Sequence, residues 1–131
     1  MARSAFVTGA SSGLGRATAI AFAKAGLTVL AGVRRNEDRE GLRQADDRIQ
    51  PIHIDLADAD AIDAVAAEVD RIVGQDGLAV LVNNAGYTLF SPIEHALSAD
   101  VARLFDVLLF GPSHLTNALL PALKRHASSG K

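Results

Sequence analysis

The segment Thr8-Gly9-Ala10-Ser11-Ser12-Gly13-Leu14-Gly15 determines the fold that this sequence predicts. It lies between the apolar run Ala5-Phe6-Val7 and an alanine-rich segment of helical character, so it predicts a turn from a strand into a helix. Glycines allow a tight turn there and let a phosphate approach the backbone without meeting a Cβ. The N–H groups of the first helical turn then face that phosphate, helped by the helix dipole. The candidate contacts of this mononucleotide site are Gly9, Ser11, Ser12, Gly13, Leu14 and Gly15.

Two other interpretations of this segment stay open at this point. Its Gly-x3-Gly-x-Gly spacing differs from the Gly-x-Gly-x-x-Gly dinucleotide fingerprint, and a glycine turn that merely connects strand to helix would also fit. The residues also match Gly-x-Ser-x-Gly, the pattern of a hydrolase nucleophile elbow, with Ser11 at its centre. The hydrolase interpretation is the weakest, because Ser11 follows the first predicted strand and no His or Asp is placed to complete a triad.

The composition predicts one α/β domain over residues 1–131. Apolar residues make up 49% of the chain and charged residues 21%, which suits a soluble protein with a buried sheet. The formal net charge of -2 gives no indication of a nucleic-acid partner. The absence of cysteine excludes disulfides, a thiol nucleophile and thiolate metal sites.

The remaining sequence signals exclude several other classes of site. The four histidines show no metal-ligand spacing, so we expect no metal centre. No Gly-Lys-Ser or Gly-Lys-Thr forms a P-loop. No apolar run is long enough to span a bilayer, and no signal peptide precedes the first predicted strand, so we expect no membrane association and a cytoplasmic location.

Strand and helix patterns alternate four times along the chain. This alternation predicts a parallel sheet with right-handed crossovers in the order 3-2-1-4, the first half of a Rossmann-like doubly wound fold. Asn36 and Asp58 are expected to cap the second and third helices. Ser98 is expected to cap a long last helix that Pro112 interrupts. The predicted strands span residues 5–7, 28–33, 49–54 and 78–82.

At the carboxyl ends of these strands the sequence resembles the short-chain dehydrogenase/reductase family, and the resemblance covers nearly the whole chain. Residues 8–15 match the family's cofactor loop, Asn83-Asn84-Ala85-Gly86 matches its Asn-Asn-Ala-Gly motif, and residues 105–112 resemble its fourth helix. The resemblance implies a nicotinamide dinucleotide, with Asp55 holding the adenine ring. It adds five candidate cofactor contacts: Asp55, Leu56, Asn83, Ala85 and Gly86.

The end of the second predicted strand indicates which nicotinamide dinucleotide is bound. Family members that prefer NAD usually carry an acidic residue there, whereas this strand ends in Arg34-Arg35. A guanidinium can pair with a ribose 2′-phosphate through charge-assisted hydrogen bonds. We therefore predict NADP(H), with Arg34 as the main contact and Arg35 in support; the alternative is that both arginines are solvated surface charges.

The family's catalytic residues, a Ser, a Tyr-x-x-x-Lys pair and a helix Asn, are not found in these 131 residues. Tyr87 is the only tyrosine, and Ser91 stands where the Lys would be, so we expect Tyr87 to be a loop residue near the nicotinamide end of the cleft. Leu108 occupies the position of the helix Asn. We therefore assign no catalytic residue and expect the chain to be inactive alone.

The resemblance and the apolar pattern also predict self-association. The predicted last helix, residues 98–125, carries more apolar side chains than one buried helix face can hold. The fourth strand would also have a free outer edge. In the family this helix is part of a dimer interface, so we expect a homodimer or a higher oligomer rather than a monomer that buries the helix on its own sheet. Three functions remain open: an NADP(H)-binding half without activity, half of an enzyme completed by a partner chain, and an interaction module with a vestigial cofactor site.

Overall fold

The computed structural model describes residues 3–130, so the two ends of the predicted domain, residues 1–2 and residue 131, lie outside the described residues. It contains a four-stranded parallel sheet in the order β3-β2-β1-β4, which confirms the predicted Rossmann-like topology. The strands are β1 (Ser4–Val7), β2 (Thr28–Val33), β3 (Ile49–His53) and β4 (Val80–Val82). The α-helices are α1 (Gly13–Lys24), α2 (Asp38–Ala45), α3 (Ala59–Val73), α4 (Ser98–Phe105) and α5 (Gly111–Ser128). Short 3-10 turns span Gly74–Asp76 and Ile93–His95, and a π-helical turn spans Asp106–Phe110.

Side-chain alternation along the buried strands creates a separate core on each face of the sheet. Phe6 and Leu30 contribute to the face covered by α3 and α5, where Leu115 is fully buried. Val7 and Val29 contribute to the opposite face. The alanines of α1 carry little bulk, so this helix lies close to the strands on that second face.

Of the predicted helix caps, the one at Asp58 is confirmed. Asp58 caps α3, and its carboxylate accepts hydrogen bonds from the N–H groups of Asp60 and Ala61. Gly26, with φ +89°, follows the Ala25 cap at the end of α1. The Asn36 prediction is wrong, because α2 begins at Asp38 and Glu37 takes the cap position without a side-chain hydrogen bond.

The last helix agrees with the prediction except at its start. Leu97, not Ser98, holds the cap position of α4, and the backbone then stays helical through α4, the π-helical turn and α5. The regular hydrogen-bond pattern is interrupted just before Pro112, where the Gly111 N–H bonds to the Asp106 oxygen, and Pro112 itself has no N–H to donate. A Cβ on Gly111 would clash with the backbone oxygen of Leu56. Glycine therefore lets the start of α5 lie directly on the loop after β3.

Candidate functional site

A cavity of about 340 Å³ opens at the carboxyl ends of the strands. In an open parallel sheet this edge, at the point where strand order reverses between β1 and β4, is where ligands bind. Of the predicted site residues, those that line the cavity are Gly9, Ser11, Ser12, Arg34, Asp55, Leu56, Ala85 and Gly86. Those that do not line it are Gly13, Leu14, Gly15, Arg35 and Asn83. The lining residues that the sequence did not single out are Gly32, Val33, Ile54, Asn84, Arg103 and Val107.

The glycine loop packs against the segment that follows β4. Gly9 has φ +62°, and a Cβ there would come within 2.7 Å of the Ala85 Cα. A Cβ on Gly15 would clash with the Gly9 carbonyl oxygen. Because neither position has room for a side chain, the loop stays narrow and α1 begins close to the sheet.

The amino end of α1 presents unused backbone donors beside this loop. Ser12 occupies the cap position and makes no side-chain capping hydrogen bond. The first helical bond runs from the Arg16 N–H to the Ser12 oxygen, so the N–H groups of Gly13, Leu14 and Gly15 have no partner inside the helix. With the positive end of the helix dipole at the same place, the loop is suited to an anion such as a phosphate.

Thr8 joins the glycine loop to the Asn-Asn-Ala-Gly segment. Its hydroxyl donates to the Val82 oxygen at 3.4 Å and accepts from the N–H groups of Asn84 and Ala85, each at 3.0 Å. The Asn84 amide donates back to the oxygens of Thr8 and Gly9, each at 3.2 Å. Thr8 and Asn84 were not among the predicted contacts, although polar residues at the ends of two adjacent parallel strands are the signal that could have found them.

Asn83 does not line the cavity, and its side chain contacts α5 instead. Its amide donates to the Thr116 hydroxyl of α5 at 3.1 Å, and that hydroxyl donates to the Pro112 oxygen at 2.7 Å. The first Asn of the motif therefore ties the end of β4 to α5, while the second Asn faces the cavity. The sequence alone does not distinguish these two neighbouring amides.

The two arginines after β2 have different environments. Arg34 lines the cavity and makes no hydrogen bond or ion pair with any residue between 3 and 130. Arg35 instead forms two hydrogen bonds with the Asp38 carboxylate, at 3.2 and 3.3 Å. That hydrogen-bonded carboxylate raises the pKa of the exposed Arg35 above its ordinary value. Only Arg34 is thus available to a ligand in the cavity.

Asp55 and Arg103 form an ion pair on the far side of the cavity. One Asp55 oxygen, Oδ1, accepts from the Ala57 N–H at 3.0 Å and from Arg103 Nη2 at 3.5 Å. Arg103 comes from α4, so this pair connects the loop after β3 to that helix. The buried side chains of Ile54 and Leu56 stand on either side of Asp55 in the chain and also line the cavity.

Tyr87 also lines the cavity, at the end formed by the loop after β4. Its neighbour Gly86 packs against Leu108, whose Cδ2 would lie only 2.9 Å from a Cβ on that glycine. The residue at the position of the family's helix Asn is therefore an apolar packing partner of the cavity wall. It offers no hydrogen bond to a water or a substrate.

Residues 3–130 contain neither a group of metal ligands nor a helix that could span a membrane. No group of three His, Asp or Glu side chains between residues 3 and 130 is arranged to hold a metal ion. None of the helices in the described part of the chain has both the length and the hydropathy needed to cross a membrane.

Comparison with known proteins identifies the family. The family model described as short chain dehydrogenase matches residues 3–131. The chain belongs to the short-chain dehydrogenase family. The chain is 36% identical over 119 residues to an NADPH-dependent 3-dehydrocapnine reductase of Ornithobacterium rhinotracheale, and the match covers 90% of this chain and 42% of that protein.

Solved structures show the same relationship. A short-chain dehydrogenase from Streptomyces avermitilis is 45% identical, with a TM-score of 0.84, over 92% of this chain and 44% of that one. A metagenomic short-chain oxidoreductase in complex with NADP is 32% identical, with a TM-score of 0.85, over 92% of this chain and 56% of that one. The chain therefore spans about half the length of the relatives that it matches.

Proposed function

We propose that this chain is the NADP(H)-binding part of a short-chain dehydrogenase/reductase-type oxidoreductase. The observation that carries the proposal is the position of Arg34, which lines the cavity and has no partner among the described residues. NADP(H) differs from NAD(H) by a 2′-phosphate, and an unpaired guanidinium can donate two parallel hydrogen bonds to that group. Arg35, the predicted supporting contact, is engaged with Asp38 and has only a long-range electrostatic role in this proposal.

The rest of the cavity fits the other parts of the same ligand. The uncapped amino end of α1, with Ser11 and Ser12, would hold the pyrophosphate. Asp55 would accept a hydrogen bond from the adenine, while Ile54 and Leu56 provide apolar surface. The backbone at Ala85 and Gly86 would border the nicotinamide half, beside Tyr87.

Known relatives support the choice of NADP(H). The related reductase of Ornithobacterium rhinotracheale is NADPH-dependent by name, and the related metagenomic oxidoreductase was solved with NADP. Arg34 supplies a reason within this chain for the same preference, since a cation next to the ribose attracts the additional phosphate.

The residues of this chain bind and orient the cofactor but do not complete a catalytic centre. NADPH, when bound, supplies the hydride for reduction of a carbonyl. A general acid must also protonate the developing alkoxide. Tyr87, the only tyrosine, has Ser91 rather than Lys four residues later, and Leu108 offers no polar atom at the helix position. We propose that the 131-residue chain alone binds the cofactor without turnover.

Calorimetric titration with NADPH and with NADH tests the binding proposal. We expect NADPH to bind more tightly, and Arg34→Met to weaken NADPH binding about 10- to 100-fold, as expected for the loss of charge-assisted hydrogen bonds. NADH binding should change little in the same variant. Arg35→Met is the matched control, because that side chain is engaged with Asp38, and it should keep most of the preference for NADPH. Equal binding of the two nucleotides to the unmodified chain would contradict the proposal.

A second candidate function, assembly with another chain, is favoured by an exposed apolar surface. The apolar helix patch is defined by Phe105, Leu108, Leu109, Phe110 and Leu120, whose exposed fractions are 51%, 48%, 53%, 60% and 37%. Within the described residues, β4 pairs only with β1, so its other edge is free. We propose that these surfaces support a homo-oligomer or contact a chain that completes the active site. Oxidation of NADPH by a ketone, measured by nicotinamide absorbance, that occurs only with a partner chain supplying the missing catalytic residues would support completion. Failure to bind any nicotinamide nucleotide would favour a purely structural module.

A further inference from the structure

The two carboxylate oxygens of Asp55 have different environments. Oδ1 accepts two hydrogen bonds, from the Ala57 N–H at 3.0 Å and from Arg103 Nη2 at 3.5 Å. Oδ2 makes no hydrogen bond to any residue of the described part of the chain. Since Ala57 lies on the loop after β3 and Arg103 on α4, the carboxylate is held from two separate elements. Asp55 therefore offers one oxygen, in a restrained orientation, to a ligand in the cavity.

The topology indicates which part of a dinucleotide this oxygen would meet. The glycine loop follows β1, Arg34 follows β2 and Asp55 follows β3, and these three strands are adjacent in the sheet. Two strand spacings of about 4.8 Å separate the end of β1 from the end of β3. A ligand with its phosphates on the glycine loop and its ribose beside Arg34 therefore places its base beside Asp55.

We propose that Arg103 is a positioning residue that determines which purine the site accepts. The inference rests on the proposed function and extends it to base selectivity. The Asp55 carboxylate can only accept hydrogen bonds, and with Oδ1 engaged by Arg103 and Ala57 it offers Oδ2 at one fixed place. An adenine presents its 6-amino donor there. A hypoxanthine has a carbonyl oxygen at position 6 and carries its donor on the adjacent N1, so a carboxylate held opposite position 6 meets an acceptor.

Removal of Arg103 would release the carboxylate. Held by Ala57 alone, the Asp55 carboxylate could turn from the 6-carbonyl oxygen toward the N1–H donor of hypoxanthine, and the discrimination against this base would decrease. The Asp55–Arg103 pair is long at 3.5 Å and its side chains are 32% and 43% exposed, so its contribution to the stability of the fold is small. A change in selectivity can therefore be separated from a change in folding.

The experiment compares NADPH with its deamino analogue, the reduced nicotinamide hypoxanthine dinucleotide phosphate, by calorimetry. We expect the unmodified chain to prefer NADPH by about tenfold, the value of one good hydrogen bond to a charged group. In Arg103→Met the preference should fall to about twofold, mainly because the deamino analogue binds better. Arg71→Met, which removes the exposed ion pair with Glu68 on α3, is the matched control and should keep the full preference. Circular dichroism checks that each variant is folded.

The outcomes separate this inference from the function on which it rests. Failure of the unmodified chain to bind NADPH would overturn the proposed function, and the selectivity argument with it. NADPH binding with an unchanged preference in Arg103→Met would overturn the inference alone. The inference would also be overturned if Arg103→Met lost more affinity for the deamino analogue than for NADPH. In that case Arg103 would donate directly to the base carbonyl.

Discussion

At the scale of single residues, Thr8 organises the site without facing the cavity. Thr8 is 1% exposed, and its hydroxyl makes three hydrogen bonds. The hydroxyl donates to the Val82 oxygen and accepts from the N–H groups of Asn84 and Ala85. A hydroxyl is the only small group that can do both, because it carries one donor and two acceptor positions. The relative position of the glycine loop and the Asn-Asn-Ala-Gly segment therefore depends on this one side chain.

The substitution Thr8→Val tests this role at nearly constant volume. It leaves the N–H groups of Asn84 and Ala85 without their acceptor in a partly buried site, so we expect the free energy of unfolding to fall by about 1–3 kcal/mol. NADPH binding should weaken as well, because the loop loses its anchor. Urea unfolding measures the first effect and calorimetry the second. Thr28→Val is the control, since the Thr28 side chain makes no hydrogen bond with any residue from 3 to 130. Equal losses of unfolding free energy in the two variants would contradict the role assigned to Thr8.

How far the site could be predicted also depends on residue-scale contacts. The glycine loop, Arg34 and Asp55 were identified because each directly follows a predicted strand, and parallel strands end at one edge. The different roles of Arg34 and Arg35 could not be inferred, because they depend on the Arg35–Asp38 pair on the turn into α2. Arg103 was not predicted because it reaches the cavity from α4, 48 residues beyond Asp55.

At the scale of elements, the strands, α3 and an interrupted last helix were predicted, whereas the form of the interruption was not. Buried apolar runs and a clear helical period carry their own signal in short windows. Pro112 indicates a local break in a helix but not its geometry. The π-helical turn at Asp106–Phe110 and the packing of Gly111 on the Leu56 backbone depend on contacts that are not visible in the sequence.

The capping of α3 gives a prediction at this scale. Asp58 accepts from Asp60 N–H at 3.0 Å and from Ala61 N–H at 3.1 Å. We expect Asp58→Ala to lower the free energy of unfolding by about 1 kcal/mol, the usual cost of losing a cap. Asp58→Asn keeps an acceptor at the same place and should lose much less. A urea titration that shows the same midpoint for both variants would contradict the assigned cap.

At the scale of the whole molecule, the described residues leave a continuous apolar surface next to the end of the sheet. Asn83, at the end of β4, lies in one shallow groove with Leu108, Leu109 and Leu120 of the apolar helix patch. The free edge of β4 is therefore close to this patch rather than on an unrelated side. Exposed apolar patches of this kind, together with a free strand edge, favour association.

We predict that the chain forms oligomers in solution through the apolar helix patch. Light scattering after size exclusion should give a mass of at least twice that of one chain, and Phe110→Glu should shift it toward the monomer. The Phe110 side chain is 60% exposed, so the charge adds little strain within one chain but is costly in an apolar interface. Phe90→Glu makes the same change on a loop residue that is 92% exposed and lies outside the patch, so this variant should keep the oligomer. A monomeric unmodified chain would contradict the prediction and leave these helices exposed in the isolated chain. Equal dissociation of the Phe110→Glu and Phe90→Glu variants would show that the contact does not depend on the patch.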